Sequence, residues 1–319
     1  MNIPVENRGD YSPNASRHLT VPESGAGQRL DQILPALLPE HSRGRLQSWI
    51  REGRVTVDGR VEAEGKRRLR GGEALLVMPA PDEREAAGAA EDIPLSVIFE
   101  DEVLLVIDKP AGMAVHGGSG ISRGVIEQLR LQHPEFKFLE LVHRLDRETS
   151  GILLLAKKRS ALLAMHEAIR NGATDKRYLT LVRGCWKNRR QSVKAPLQKT
   201  TTADGERRVF VCPDGQPSHT VFNLVQAWPE FSLLEAELKT GRTHQIRVHL
   251  QSLDFPIAGD DKYGDFALNK ALQKRGLKRM FLHAYRLALP HPLTGQPLQL
   301  EAPLPPELQK FVDSLDESH

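Results

Sequence analysis

Apolar residues near the N-terminus recur at the spacing of two short helices. From residue 30 they are three and four positions apart, as on one face of a helix; they are Leu30, Ile33, Leu34, Leu37 and Leu38, followed by Pro39. Leu46, Trp49 and Ile50 repeat this spacing, with Ser42 as a predicted N-cap and Gly53 as a predicted stop. The pattern predicts two amphipathic helices in succession.

Short strands and dense positive charge complete this first unit. Residues 55–57 lead into Asp58-Gly59, a dipeptide typical of hairpin turns, and another strand is predicted over 74–78. Between residues 43 and 70, nine lysines and arginines face four acidic residues, an excess larger than the net charge of +3 on the whole chain. Such a surface could contact phosphates, although an ordinary basic surface is the competing interpretation.

Polarity and composition divide the 319-residue chain into four parts. Residues 1–22 are polar and predicted to be a disordered tail. Residues 23–79 form a small basic domain, and the acidic, alanine-rich residues 80–92 are predicted to be a flexible linker. Residues 93–319 form a second, larger domain, which agrees with the two domains expected for this length.

A charged loop in the second domain stands between two short apolar segments. This order predicts a strand, a tight loop and a second strand, a setting in which proteins often display catalytic groups. The loop, residues 143–151, carries Asp146 with Arg144 and Arg147 on either side. We expect these two arginines to hold the carboxylate ionised and oriented. A solvated hairpin tip is the alternative for an arbitrary charged loop.

Alternating apolar residues predict that the second domain is rich in strands. Strands are expected around 176–184, 220–225 and 231–238, and the basic, turn-rich residues 186–218 are expected to form a long hairpin. An amphipathic helix is predicted over 160–171, with Leu162, Leu163 and Ile169 among its apolar positions. This pattern favours an α+β domain.

Composition argues against several classes of protein. Cys185 and Cys212 have no metal-type spacing, and the arginines of the segment that holds His244 and His249, Arg242 and Arg247, would repel a cation, so we expect no metal. The glycine-rich loop 116–120 lacks the lysine and hydroxyl positions of a P-loop, so nucleotide hydrolysis is not expected. The first residues resemble no secretory signal, and no apolar run approaches the roughly 18 residues of a membrane span. A cytoplasmic protein is expected.

Several contiguous motifs resemble one enzyme family. The loop sequence HRLDRETSG resembles the signature of the RluA-type pseudouridine synthases, and DKPAGMAVHGGSG, GRTHQIRVH and GDDKYG resemble further segments of that family across residues 93–315. The segment RLDQILPALLPEHSRGRLQSWIREGRVTVDGRV resembles the alpha-L RNA-binding module that precedes many of these enzymes. Among the subtypes, AVHGGSG, FLELVHRLD and DDKYGD are most similar to the RluC-type enzymes of large-subunit ribosomal RNA.

The resemblance implies a fold, a reaction and a partner. The implied fold is an α+β catalytic domain with a mixed, mainly antiparallel sheet and a central cleft, preceded by a small alpha-L type RNA-binding domain. The implied reaction isomerises uridine to pseudouridine in RNA after base flipping, without a cofactor or metal. The implied partner is large-subunit ribosomal RNA or one of its assembly intermediates, and the enzyme is expected to be a monomer.

The resemblance also implies roles for individual residues. Asp146 matches the catalytic carboxylate, and Arg247 the guanidinium that keeps it ionised. Tyr178 matches the ring that stacks on the target base and can accept a proton. Arg144 matches the residue that fills the gap left by the flipped base, and Ile246 is expected to pack under the base. Without the family, Tyr178 would be interpreted as a core aromatic residue and Arg247 as a surface ion-pair partner.

Other residues are assigned less directly. Arg43, Arg51 and Arg54 of the small basic domain are expected to bind RNA, whereas His143, His244 and His249 are expected to be structural. The basic insertion 268–280 is predicted to be a helix near the substrate that helps to choose the RNA, through Lys274, Arg275, Lys278 and Arg279.

Two alternatives remain at this stage. One is a pseudouridine synthase of transfer RNA, and the other is a noncatalytic RNA-binding protein of ribosome assembly. The intact set of Asp146, Tyr178 and Arg247 favours an enzyme over a noncatalytic binder.

Overall fold

The structure is a computed structural model that describes residues 16–39, 41, 43–78, 93–117, 123–202 and 206–316. These residues fall into two compact units, the smaller ending at Met78 and the larger beginning at Ile93. The predicted N-cap Ser42, the linker 80–92 and the first 15 residues of the predicted tail lie outside the described residues.

The smaller unit packs two helices on one antiparallel sheet. Its helices are α1 (Leu30–Leu37) and α2 (Arg43–Arg51), and its strands are β1 (Arg17–Thr20), β2 (Val55–Val57), β3 (Arg60–Val61) and β4 (Ala74–Val77), in the order β1-β4-β2-β3. Apolar residues of both helices are buried against the sheet; they include Leu30, Ile33, Leu34, Leu46, Trp49 and Ile50. Gly53 follows α2 with a φ of 69°, a conformation that glycine adopts readily. The two helices are confirmed.

The prediction of a disordered tail over residues 1–22 is wrong for its last part. Residues 17–20 form β1, which pairs antiparallel with β4. Leu19 packs against the apolar core of the smaller unit. The sequence of β1 gives little local indication of a strand, since Leu19 is its one apolar residue. The strand is stabilised instead by β4, which lies more than 50 positions further along the chain.

The larger unit is built on a ten-stranded mixed sheet. Its strands are β5 (Ser96–Glu100), β6 (Leu104–Lys109), β7 (Glu140–Leu141), β8 (Ser150–Ala156), β9 (Asp175–Arg183), β10 (Arg190–Lys194), β13 (His219–Ala227), β14 (Phe231–Leu238), β15 (Leu282–Pro290) and β16 (Pro297–Glu301). The main order is β10-β13-β14-β9-β15-β8-β6-β5, with β16 beside β15 and β7 beside β8. Strands β11 (Leu197–Thr201) and β12 (Arg207–Val211) form a separate hairpin. The prediction of one long hairpin over 186–218 is right only for this part, because β10 of the same segment belongs to the main sheet.

The described residues of this unit also form five helices: α3 (Val125–Gln132), α4 (Arg159–Arg170), α5 (Gln245–Ser252), α6 (Phe266–Lys274) and α7 (Pro306–Asp316). Successive residues of β6 alternate between two buried apolar clusters, one that includes α3 and one that includes α4. Because both faces are covered there, the strand is a continuous apolar run. In α4, Ala161 and Met165 are buried whereas Leu163 is exposed, so the predicted apolar face was wrong at Leu163.

The sheet is mainly antiparallel, as predicted, but β8 and β15 run parallel. Gly151 and Ala284 are partners in this short ladder. Gly151 has a φ of 110°, and a Cβ at this position would overlap the Ala284 carbonyl group. The start of β8, immediately after the charged loop, therefore requires glycine. Within the described residues, no helix is long and apolar enough to cross a membrane.

Candidate active site

The charged loop is the turn between β7 and β8, which pair antiparallel, so the predicted strand, loop and strand are confirmed. Lys109, which is fully buried at the end of β6, hydrogen-bonds to the backbone just after Asp146. Its Nζ donates to the carbonyl oxygens of Pro110 (2.8 Å), Met113 (2.8 Å) and Arg147 (3.1 Å). Burial lowers the pKa of Lys109 to about 7. Three acceptors match the three protons of an ammonium group, so Lys109 fixes the loop while charged.

The arginines beside Asp146 in sequence are not its partners in space. Arg147 donates from Nε to the Gly112 carbonyl oxygen at 2.9 Å, away from the carboxylate. Arg144 is exposed and forms no ion pair with Asp146. The expectation that these two residues hold the carboxylate is therefore wrong. In the extended backbone of a loop, adjacent side chains point in different directions, so neighbours in sequence need not meet.

Arg247 is the cation that meets Asp146. It lies on α5 and is only 4% exposed, and its Nη1 is 3.3 Å from Asp146 Oδ2. Arg247 is itself fixed by Asp260, which accepts from Nε at 2.7 Å and from Nη2 at 2.8 Å. Burial alone would lower the pKa of Arg247, but the hydrogen bonds and charge of Asp260, together with the charge of Asp146, raise it overall. Arg247 is thus a permanent, rigid cation.

Asp260 is the buried counter-ion that makes this arrangement stable. It is fully buried and also accepts hydrogen bonds from the backbone nitrogens of Lys262 (2.8 Å) and Tyr263 (3.0 Å). Burial by itself would raise the pKa of Asp260, but the Arg247 hydrogen bonds and charge and the two backbone donors lower it overall. A buried ion pair requires such complete hydrogen bonding, because both ions have lost their hydration.

The two oxygens of Asp146 have different surroundings. Arg247 Nη1 and His244 Nε2 both approach Oδ2, at 3.3 and 3.9 Å. Among the described residues, no side chain or backbone group donates a hydrogen bond to Oδ1. One oxygen therefore orients the carboxylate, and the other is available to a substrate.

Tyr178 and Ile246 line the apolar side of this site. Tyr178 lies on β9 and is mostly buried, and Ile246 precedes Arg247 on α5; both belong to the same buried cluster. Burial, and to a lesser degree the negative charge of Asp146, raises the pKa of Tyr178, so its hydroxyl group stays protonated at neutral pH. The structure thus brings together Asp146, Arg247, Tyr178 and Ile246, while Arg144 lies exposed on the same loop as Asp146.

Sequence reasoning gave no role to Asp260 or Tyr263 and left His244 structural. His244 Nδ1 lies 2.8 Å from the Tyr263 hydroxyl oxygen, and the Arg247 guanidinium stands 5.0 Å from the centre of the Tyr263 ring. The signal that could have found Asp260 and Tyr263 was the family-like string DDKYGD, which contains both residues.

The other two histidines of the motifs are hydrogen-bonded inside the larger unit, His249 fully buried and His143 half-buried. His143 accepts from the Leu154 backbone nitrogen at 3.2 Å, and burial lowers its pKa to about 4. His249 contacts the hydroxyl groups of Ser218 (2.9 Å) and Thr220 (3.0 Å). These contacts are those of structural residues, as expected. The described residues contain no group of three or more His, Cys, Asp or Glu arranged to hold a metal ion.

The arginines expected to bind RNA in the smaller unit differ in their surroundings. Arg51 is exposed at the end of α2. Arg54 pairs with Glu52, with Nε 3.0 Å from Oε2. The side chain of Arg43 lies outside the described residues. Contact with phosphates stays a prediction for all three.

The basic insertion 268–280 is helical only as far as Lys274, where α6 ends, so its predicted helix is confirmed for the first half alone. Two of its four named cations are parts of the fold. Arg279 is largely buried and donates to Ser150 Oγ at 2.7 Å, and the Arg275 guanidinium stacks over Phe231 and Phe311. Arg275 and Arg279 therefore have roles in the fold. Selection of RNA stays a prediction for all four cations, of which Lys274, Arg275 and Lys278 are exposed.

Comparison with known proteins identifies the family. A family model described as RNA pseudouridylate synthase matches residues 103–252, and an S4 domain model matches residues 28–75. Among solved structures, a human protein titled RNA Pseudouridylate Synthase Domain Containing 4 aligns with a TM-score of 0.57 and 26% identity, covering 69% of this chain and 93% of that one.

Curated relatives match over nearly the whole chain. A protein of Pasteurella multocida named ribosomal large subunit pseudouridine synthase C is 46% identical over 311 residues, covering 95% of both chains. A protein of the same name from Escherichia coli is 44% identical over 303 residues, covering 91% of this chain and 93% of that one. The resemblance found in the motifs is confirmed, and the chain belongs to the RNA pseudouridine synthase family, with an S4 domain ahead of its synthase domain.

Proposed function

We propose that this pseudouridine synthase isomerises specific uridines of large-subunit ribosomal RNA and that Asp146 is its catalytic carboxylate. The RNA target is supported by the names of the relatives, which act on the ribosomal large subunit. The observation that carries the role of Asp146 is its geometry. Its Oδ2 is oriented by a buried arginine that has its own counter-ion, while Oδ1 is free of hydrogen bonds within the described residues.

The reaction sets the requirements that this geometry meets. The bond between uracil N1 and ribose C1′ breaks, the base turns, and C5 bonds to C1′. C5 loses its proton and N1 takes one up, so the product is an isomer of the substrate. No redox partner or group donor is needed, and a positioned carboxylate in a closed pocket suits this chemistry. A buried carboxylate needs a partner to replace its lost hydration. Arg247 supplies one at 3.3 Å, since Asp260 keeps the guanidinium fixed and charged.

The neighbours of Asp146 suit a base that has left the RNA stack. Flipping a base costs a few kcal/mol, which stacking and apolar contacts in the pocket can offset. Tyr178 offers an aromatic ring and Ile246 an apolar surface beside the carboxylate. The exposed guanidinium of Arg144 can stack in the gap that the base leaves in the RNA.

The smaller unit supplies binding that does not depend on the reaction. We propose that Arg51, and with it Arg43 and Arg54, contacts RNA phosphates through the basic surface around α2. Binding through phosphates weakens as salt rises, because each contact releases counter-ions. We further propose that the enzyme acts as a monomer in the cytoplasm, which light scattering of the purified protein and cell fractionation would check.

The test measures tritium release from ribosomal RNA labelled at uridine C5. The RNA comes from cells lacking this protein, so that its target sites are unmodified. Wild type should release tritium, and Asp146→Asn should release none while binding RNA as tightly. Glu148→Gln is the matched control, because it removes a carboxylate of the same loop that does not contact Arg247; its activity should stay close to that of wild type.

Each outcome has a clear meaning. Activity of Asp146→Asn would refute the role of Asp146. If wild type releases tritium from transfer RNA but from neither naked ribosomal RNA nor immature large subunits, the proposed target is wrong and the transfer-RNA alternative replaces it.

A further inference from the structure

Tyr263 connects the β11–β12 hairpin to His244. The Val209 backbone nitrogen, on β12, donates to the Tyr263 hydroxyl oxygen at 2.9 Å. The same oxygen lies 2.8 Å from His244 Nδ1. Among the described residues, no other acceptor lies within hydrogen-bonding distance of this hydroxyl group, so its proton is directed at Nδ1. Tyr263 itself is immobilised by its backbone hydrogen bond to Asp260.

This contact determines which nitrogen of His244 carries the proton. A neutral imidazole has one donor and one acceptor nitrogen. Because Nδ1 accepts from Tyr263, the proton is on Nε2, and Nε2 faces Asp146 Oδ2 at 3.9 Å. Burial, and to a lesser degree the cations Arg247 and Lys262, lowers the pKa of His244 against the opposing effect of Asp146 and Asp260. A neutral Nε2–H group is thus directed at the carboxylate.

The backbone at His244 is also unusual. His244 immediately precedes α5 and has a φ of 54°, in the left-handed region that residues other than glycine seldom adopt. Such strained conformations persist where the surrounding structure enforces them, and they cluster at functional sites. Here the strain places the imidazole between Tyr263 and Asp146, and its side chain is only 17% exposed.

We propose that His244 is a positioning residue that donates from Nε2 to Asp146 Oδ2 when RNA is bound, with Tyr263 setting its tautomer. The inference rests on the proposed catalytic role of Asp146. A separation of 3.9 Å is longer than a hydrogen bond, but such catalytic contacts often tighten only when substrate is bound. Together with Arg247, His244 holds Oδ2 from two sides and keeps Oδ1 directed at the nucleotide.

Two substitutions at His244 separate positioning from folding. In His244→Gln the amide nitrogen extends about as far as Nε2, so a donor can still face Asp146. In His244→Asn it extends only as far as Nδ1, so that donor is lost. Asn tolerates a positive φ better than Gln, so folding stability should favour the Asn variant. Activity and stability are therefore expected to rank the two variants in opposite orders.

Single-turnover tritium release at several RNA concentrations gives the maximal rate and the half-saturating RNA concentration. His244→Asn should lower the rate about 10- to 100-fold, as expected for losing a hydrogen bond to a charged group, with unchanged half-saturation. His244→Gln should stay within about threefold of wild type. Tyr263→Phe should lower the rate about 3- to 10-fold, because the tautomer is no longer fixed.

The results test the positioning role of His244 separately from the proposed catalytic role of Asp146. Equal losses in the Gln and Asn variants, or losses that follow their melting temperatures, would overturn the positioning role. Wild-type rates in both variants would overturn it as well. Asp146→Asn is measured in parallel: activity of that variant would instead reject the proposed function, whatever the His244 variants do.

Discussion

Replacing Asp260 by asparagine should damage the protein far more than replacing the adjacent Asp261. Asp260 is fully buried and accepts four hydrogen bonds, two of them from Arg247. Asn keeps the shape but has one acceptor oxygen. If that oxygen faces the three donors at Oδ1, its amide group meets Arg247 Nε, donor against donor. The guanidinium then remains buried, and within the described residues its nearest carboxylates are the partly exposed Asp146 and the largely exposed Asp261.

The size of the effect follows from this geometry. Leaving one partner of a buried ion pair uncompensated typically costs about 3–5 kcal/mol. Since Asn still accepts hydrogen bonds at Oδ1, the lower value applies, about 3 kcal/mol. In a domain of this size each kcal/mol shifts the melting temperature by about 2–4 °C, so a decrease of roughly 6–12 °C is expected.

The matched control is Asp261→Asn. Asp261 lies 3.8 Å from Arg247 Nη2, but its side chain is 80% exposed, so its loss should change stability by less than about 0.5 kcal/mol. Thermal unfolding of the full chain, followed by circular dichroism, compares both variants with wild type. Equal melting temperatures for the two variants would refute the reasoning, because the buried pair would then contribute no more than an exposed one.

The pH dependence provides a second check on the same variant. The folded pKa of Asp260 lies below its ordinary value of 3.8. Its contribution to stability is therefore complete above the unfolded pKa and is lost as the pH falls through the folded pKa. The difference in stability between wild type and Asp260→Asn should accordingly shrink below about pH 4.

Two further predictions concern the supports of the catalytic loop. Gly151→Ala should lower the free energy of unfolding by about 3 kcal/mol or more, because the added Cβ would overlap the Ala284 carbonyl group. The control is Gly172→Ala, at a φ of 71° but in open space, which should lower it by about 1 kcal/mol. Denaturant titration of both variants measures the difference. Burial lowers the pKa of His143 to about 4. Between pH 6.5 and 4 the folded protein therefore binds fewer protons than the unfolded chain, so its stability should decrease as the pH falls through this range. His143→Gln should flatten this part of the stability profile, and an unchanged slope would contradict the assignment.

The sequence pattern correctly predicted the features that depend on residues close together in the chain. The helices of the smaller unit follow from apolar spacing, and the loop of Asp146 follows from charge placed between apolar strands. The mainly antiparallel sheet and the grouping of Asp146 with Arg247 were implied by the family motifs. Periodicity alone could not have supplied them.

What the sequence could not provide is the choice among long-range partners. Arg144 and Arg147 are adjacent to Asp146 along the chain, yet Arg247, 101 residues away, makes the contact. That choice depends on how α5 packs against the sheet. Likewise Asp260 gave no local sign of burial, because acidic residues are usually exposed; only the packing shows that its partner is Arg247.

The position of β15 has a consequence for synthesis of the enzyme. In the sheet, β15 is the strand between β9 and β8. It therefore joins two strand groups. One, β10-β13-β14-β9, carries Tyr178 and is followed by the helix of Arg247; the other is preceded at β8 by the loop of Asp146. Residues 282–290 are made after the strands of both groups. A nascent chain can form both groups as hairpins, but it cannot bring the carboxylate to its arginine until β15 has emerged. Activity should therefore begin only after β15 has been made, and truncation before β15 should abolish it.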